Sequence, residues 1–288
     1  MRNGTEKKQE REDSALHSEF RNADKVIGIF DSGVGGLTVV REVIRELPHE
    51  SVVYFGDTAR VPYGTKSGGL VRRYGLQDAR FLTRFGVKLI VVACNTVSAI
   101  GLGELSREMP VRVMGVVEPG CRTAVGVTKT GKIGVLGTEA TISSGVYPET
   151  LKKFNSGVEV MSVSCPLFVP IVEEGWVNRE VAELTAREYL SPLKGEVDTL
   201  ILGCTHYPLL KNVIGKEMGD EVTLVDSSRE VAVEVKGILG EEDNLVPVSY
   251  SGSHRYFVSD HPEKFGEMAR VFLGEEIISV EKVDIEEY

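Results

Sequence analysis

Two short aliphatic runs restrict the fold more than any other feature of this chain. Leu89–Thr96 reads LIVVACNT and Leu200–His206 reads LILGCTH. Each is a short aliphatic run that ends in a cysteine followed by small or polar groups able to hydrogen-bond. Continuous apolar runs of this length are the mark of strands buried on both faces, which occur in parallel sheets covered by helices. VIGIF (residues 26–30) and SVVYFG (residues 51–56) are of the same kind. Between them LTVVREVIRELP places Leu37, Val40, Val43 or Ile44, and Leu47 on one helical face, with Pro48 as a stop. Strands alternating with helices of this length predict βαβ units.

The pattern restarts halfway. KIGVLG (residues 132–137) resembles VIGIFD, and DTLILGCTH resembles VKLIVVACNT, with intervals of similar length between the members of each pair. The reading is an α/β protein of two pseudo-symmetric domains with mainly parallel sheets and an active site in the interdomain cleft. Pro119 and Gly120 punctuate the chain near the boundary. RYFVSD and PEKFGEMARVFLG, with Asp260 as a plausible N-cap, are too few for a third domain and are expected to pack back on the first. The expected division is residues 26–118 plus 229–288, residues 119–228, and an N-terminal extension over residues 1–25. That extension holds six basic and six acidic residues and little apolar surface, so it is expected to be disordered or loosely attached.

Composition excludes several functions. The net charge is −10, from 33 basic and 43 acidic residues, which gives no electrostatic footprint for nucleic acid or an anionic membrane. No window approaches 18 apolar residues, and the charged N-terminus lacks a secretory core. A cytoplasmic protein is expected. Its four cysteines (94, 121, 165 and 204) form no CxxC pair, so free thiols are expected rather than a zinc ribbon or disulfides. DSGVGG lacks both the phosphate-loop lysine and the GxGxxG spacing, so its glycines read as a tight turn near a ligand. Asp31 is also placed to cap the following helix. Cys121, Cys165 and Trp176 read as packing residues, and PYGTKSGG as a surface or substrate-covering loop.

In open parallel sheets, ligands bind beyond the carboxyl ends of the strands. Four such ends carry reactive or polar groups: Asp31-Ser32, Cys94-Asn95-Thr96, Gly137-Thr138 and Cys204-Thr205-His206. Two thiols there could ligate a metal, form a redox pair, or face each other across a substrate. Two cysteines and one histidine are thin for a metal site. A thiolate is a competent base and a thiol a competent acid, and one on each face of a carbon is the minimum needed to invert a stereocentre. Asp31 and His206 could exchange protons with the nearby thiols.

GIFDSGVGGLTV, YFGDTARVPYG, ACNT, CPLFVPIVEEG and GCTHYP, in that order, resemble the glutamate racemases of the aspartate/glutamate racemase superfamily, from about Val26 to the last helix. The resemblance implies cofactor-independent racemisation, without metal or pyridoxal phosphate, of a small-molecule substrate, glutamate, supplying D-glutamate for peptidoglycan. It puts the catalytic cysteines on Cys94, acting on the D-enantiomer, and Cys204, acting on the L-enantiomer. Auxiliary acid/base roles fall on Asp31, His206 and a glutamate of VEEG, for which Glu173 is chosen over Glu174. Substrate contacts fall on Asp31, Ser32, Tyr63, Gly64, Asn95, Thr96, Thr205 and His206, with Thr138 added from its strand end. A homodimer is left open. The rival expectations are an aspartate racemase of the same superfamily and a two-lobed binding protein without chemistry.

Overall fold

The computed structural model describes residues 26–274 and 279–288. The expected N-terminal extension lies outside the described residues. Among the described residues ten strands form two sheets: β1 (Ile27–Asp31), β2 (Val52–Gly56), β3 (Leu89–Val92), β4 (Arg112–Gly115), β5 (Lys132–Gly137), β6 (Glu159–Ser164), β7 (Thr199–Gly203), β8 (Thr223–Val225), β9 (His254–Val258) and β10 (Val280–Lys282). The first sheet runs β10-β9-β2-β1-β3-β4 and the second β6-β5-β7-β8. Every pairing in both sheets is parallel. The order β2-β1-β3-β4 is repeated as β6-β5-β7-β8, so the internal repeat read in the sequence is a repeat of topology. The expected fold class holds.

The two sheets differ at one edge. β9 pairs with β2, so β2 is covered on both sides and all five of its residues are buried. Its counterpart β6 is an edge strand with a largely exposed face. The helix Leu37–Glu46 buries Leu37, Val40 and Val43, each removing an aliphatic side chain from water at roughly 1.5–3 kcal/mol. It packs against the helix Ser227–Glu241 through one apolar cluster that contains Val231, Ala232, Val235 and Ile238.

The repeated order has a functional consequence. Chain direction across each sheet reverses between β1 and β3, and again between β5 and β7, and such switch points open crevices at the strand ends. Asp31-Ser32 and Cys94 flank the first crevice. Thr138 and Cys204 flank the second.

Candidate active site

β3 ends at Val92, and the helix Asn95–Ile100 starts three residues later with Cys94 at its N-cap position. Ser98 fixes this join, donating its Oγ to Val92 O at 2.8 Å and its N–H to Cys94 O at 2.9 Å. Cys204 follows β7 directly, and the Tyr207 N–H donates to Cys204 O at 3.1 Å to begin the 3-10 turn Tyr207–Leu210. Gly203 is obligatory there, because a Cβ would lie 2.5 Å from Leu136 O. Both thiols are free and buried, so they form no redox bridge.

A pocket of about 310 Å³ brings the two thiols together. Ser32, Tyr63, Gly64, Cys94, Asn95, Thr96, Thr138, Glu173, Cys204, Thr205 and His206 all line it. Of the expected site residues, only Asp31 is absent from the lining. Its carboxylate is fully buried, and its Oδ2 accepts the N–H groups of Gly33 (3.1 Å) and Gly36 (3.0 Å) at the start of the helix Leu37–Glu46. Its other oxygen, Oδ1, has no hydrogen-bond partner. Burial raises the Asp31 pKa, opposed by the nearby His206 and by these backbone donors.

Tyr63 lines the pocket, but its hydroxyl serves another purpose. It donates into a buried cluster with Asp57 and Asp78, to which Arg60 is paired at 2.6 Å and 3.2 Å respectively. Ser259 closes the cluster on Asp57 at 2.7 Å. The loop that carries Tyr63 and Gly64 is thus pinned from below by charges drawn from separate segments. Gly64 permits close approach, since a Cβ there would sit 2.5 Å from Thr138 Cβ.

The two thiols have opposite neighbours. Cys94 Sγ donates to Ser32 Oγ at 3.7 Å. Burial, and then the charge of Asp31, push its thiol up to about 12. Cys204 Sγ lies 3.9 Å from His206 Nδ1, and His206 Nε2 lies 3.1 Å from Glu173 Oε1. Burial alone would lower the His206 pKa, but Cys204 and Glu173 raise it to about 10. Glu173 is lowered in turn: its burial is outweighed by the hydrogen bond and charge of His206, with Lys264 adding to the effect. Cys94 therefore sits beside a carboxylate, and Cys204 beside an imidazole that favours its cationic form.

Around the thiols the pocket is rich in hydroxyl and amide groups. Thr96 Oγ1 lies 3.0 Å from Thr138 Oγ1 and 3.2 Å from Thr141 Oγ1. Tyr147 donates to Asn95 Oδ1 at 2.6 Å. Gly35 abuts the histidine so closely that a Cβ would stand 2.3 Å from Thr205 Oγ1 and 2.5 Å from His206 Nδ1. Pro62 and Thr65, from the loop expected to lie at the surface or cover substrate, also line the pocket, and Val61, Glu139, Pro166, Val169 and Pro170, for which no expectation was drawn, complete it. Among the described residues no group of three or more His, Cys, Asp or Glu side chains could hold a metal ion.

A sequence profile for the family described as Asp/Glu/Hydantoin racemase matches residues 27–235. A glutamate racemase from Geobacter metallireducens is 55% identical over 263 residues, covering 91% of this chain and 97% of the relative. The crystal structure of glutamate racemase isoform RacE1 from Bacillus anthracis superposes with a TM-score of 0.88 at 42% identity, covering 91% of this chain and 98% of that one. The glutamate racemase of Francisella tularensis, solved in complex with D-glutamate, superposes with a TM-score of 0.87 at 38% identity, covering 92% of this chain and all of that one.

Proposed function

The chain belongs to the Asp/Glu/hydantoin racemase family, and from that premise we propose that it interconverts L- and D-glutamate with Cys94 and Cys204 as its two bases. The observation that carries this reading is one pocket lined by two strand-end thiols with opposite proton partners. The glutamate specificity rests on relatives that are themselves named glutamate racemases.

From L-glutamate, the Cys204 thiolate takes the Cα proton and the Cys94 thiol returns one to the opposite face. The D-enantiomer reacts by the reverse path. His206 stabilises the thiolate on its side, and Glu173 orients the ring and balances its charge. On the other side burial and the Asp31 charge hold the Cys94 thiol protonated, and a substrate ammonium brought near Asp31 would offset the second of these. As the Cα–H bond breaks, negative charge moves onto the α-carboxylate. Ser32, Asn95, Thr96, Thr138 and Thr205 are the donors assigned to that charge, where one well-placed donor is worth roughly 3–4 kcal/mol of barrier.

The division of the chain into residues 26–118 with 229–288 and residues 119–228 is part of the same proposal, with each part supplying one thiol. So is a cytoplasmic role in supplying D-glutamate for peptidoglycan. No helix among the described residues is long and apolar enough to cross a membrane. The homodimer left open by the sequence is a question for light scattering on the purified protein.

The test is separate incubation with L-glutamate and L-aspartate, followed by circular dichroism. Loss of optical rotation with glutamate and not aspartate is the expected outcome. Turnover of aspartate alone would transfer the assignment to an aspartate racemase. No deuterium entering Cα from D2O would leave a binding protein.

A further inference from the structure

Glutamate carries two carboxylates and one ammonium, yet no lysine or arginine is among the described residues that line the pocket. The chain as a whole has a net charge of −10, so its long-range field opposes the approach of an anion. The cationic side chain in that lining, His206, is already paired with Glu173, which leaves room for a further cation on the substrate's way in.

A second cleft, of about 650 Å³, opens against the same wall. It shares Gly64, Thr65 and Glu139 with the pocket, so the two cavities are neighbours across the turn Tyr63–Thr65. Its cations are Lys66 and Arg72. Lys66 follows that turn, its N–H donating to Tyr63 O at 3.0 Å, and it makes no ion pair among the described residues. Arg72, on the helix Gly68–Thr83, is held only loosely, with Nε 3.8 Å from Glu104 and its side chain 46% exposed. The opposing charges are Glu104, on Arg72, and the exposed Glu139 on the shared wall.

We propose that this cleft is the entrance vestibule of the substrate pocket, where Lys66 and Arg72 capture a carboxylate of the incoming amino acid and pass it across Gly64 and Thr65. The inference rests on the glutamate reading above. Capture uses the charges before any chemistry, so it acts on the rate of substrate entry, read as kcat/KM, and leaves the proton transfers alone. At physiological ionic strength the Debye length is about 8 Å. Only cations at the mouth can therefore offset the field of the whole chain.

The experiment is steady-state racemisation of both enantiomers by the wild type, K66Q, R72Q, the double variant and E139Q, at low and high salt. Each lost cation is expected to raise KM roughly two- to fivefold at low salt, the scale of exposed charge pairs, with kcat unchanged. The two enantiomers have equal free energy in water, so kcat/KM must fall equally in both directions. High salt should erase the difference from wild type, K66R should keep the wild-type KM, and E139Q should lower KM. A double variant with wild-type KM at low salt overturns the proposal, as does a raised KM that persists at high salt or an E139Q variant with raised KM. A wild type that does not racemise glutamate would instead overturn the function itself.

Discussion

The two halves of the site are alike in backbone and opposite in charge. Cys94 and Cys204 each follow a central parallel strand, at the same place in the repeated order β2-β1-β3-β4 and β6-β5-β7-β8. Yet Cys94 has Ser32 and a buried carboxylate beside it, and its thiol is pushed up to about 12. Cys204 has a histidine raised to about 10, itself held by Glu173. The repeat thus supplies the geometry for two faces of one carbon, and the residues after each strand set which proton state each side favours. The Cys94 half holds its sulfur as a thiol, and the Cys204 half sets an imidazole that favours its cationic form beside the second sulfur.

The sharpest way to break the comparison is to remove either sulfur. Cys94→Ser and Cys204→Ser are each expected to lower racemisation by about 10³-fold or more, the upper part of the range for positioned acid–base groups, in a circular dichroism assay. Full activity in either variant would leave one base doing both jobs. Next in size is His206→Asn, which takes the cation from one half only. A loss of about 10²-fold in kcat is expected, together with a changed pH–rate profile.

Gly35→Ala tests the same half through packing. A Cβ at 2.5 Å from His206 Nδ1 must displace the ring, and a misplacement near 1 Å costs about 10²-fold at most. A loss of about tenfold, with the fold intact by circular dichroism, is the expected result. The smallest effect is on stability. The folded-state pKa of His206 is raised from 6.5 to about 10, so its contribution to stability is complete below pH 6.5 and is lost as pH rises through about 10. Thermal melts from pH 6 to 11 should show this loss, and Glu173→Gln should move it to lower pH because the His206 partner is weakened. An unchanged melting profile in that variant would remove Glu173 as a partner that raises His206.

Much of the fold was legible because buried parallel strands are written as unbroken aliphatic runs, as at Leu89–Val92 and Thr199–Gly203. The two cysteines were legible for the same reason: strand ends in such sheets are where ligands bind. Other features depend on contacts between distant segments. The pairing of His206 with Glu173 spans 33 residues, and only resemblance pointed to that glutamate. The turn of the Tyr63 hydroxyl toward Asp57 and Asp78 depends on a charge cluster that no local pattern encodes. The burial of Asp31 under the amides of Gly33 and Gly36 is a capping geometry, visible in the sequence only as one of two roles. Lys66 was marked only as part of the loop PYGTKSGG and Arg72 not at all, since a cleft is a property of surfaces brought together by the fold.

The central claim is that each sulfur serves one face of the α-carbon. It is tested most directly by following Cα hydrogen exchange in D2O, one enantiomer at a time, with the wild type, Cys94→Ser and Cys204→Ser. The wild type should place deuterium at Cα of the product in both directions. Residual exchange without racemisation should be confined to L-glutamate in Cys94→Ser, where Cys204 remains, and to D-glutamate in Cys204→Ser. Exchange with the enantiomers reversed, or of both enantiomers equally in either variant, would contradict the account.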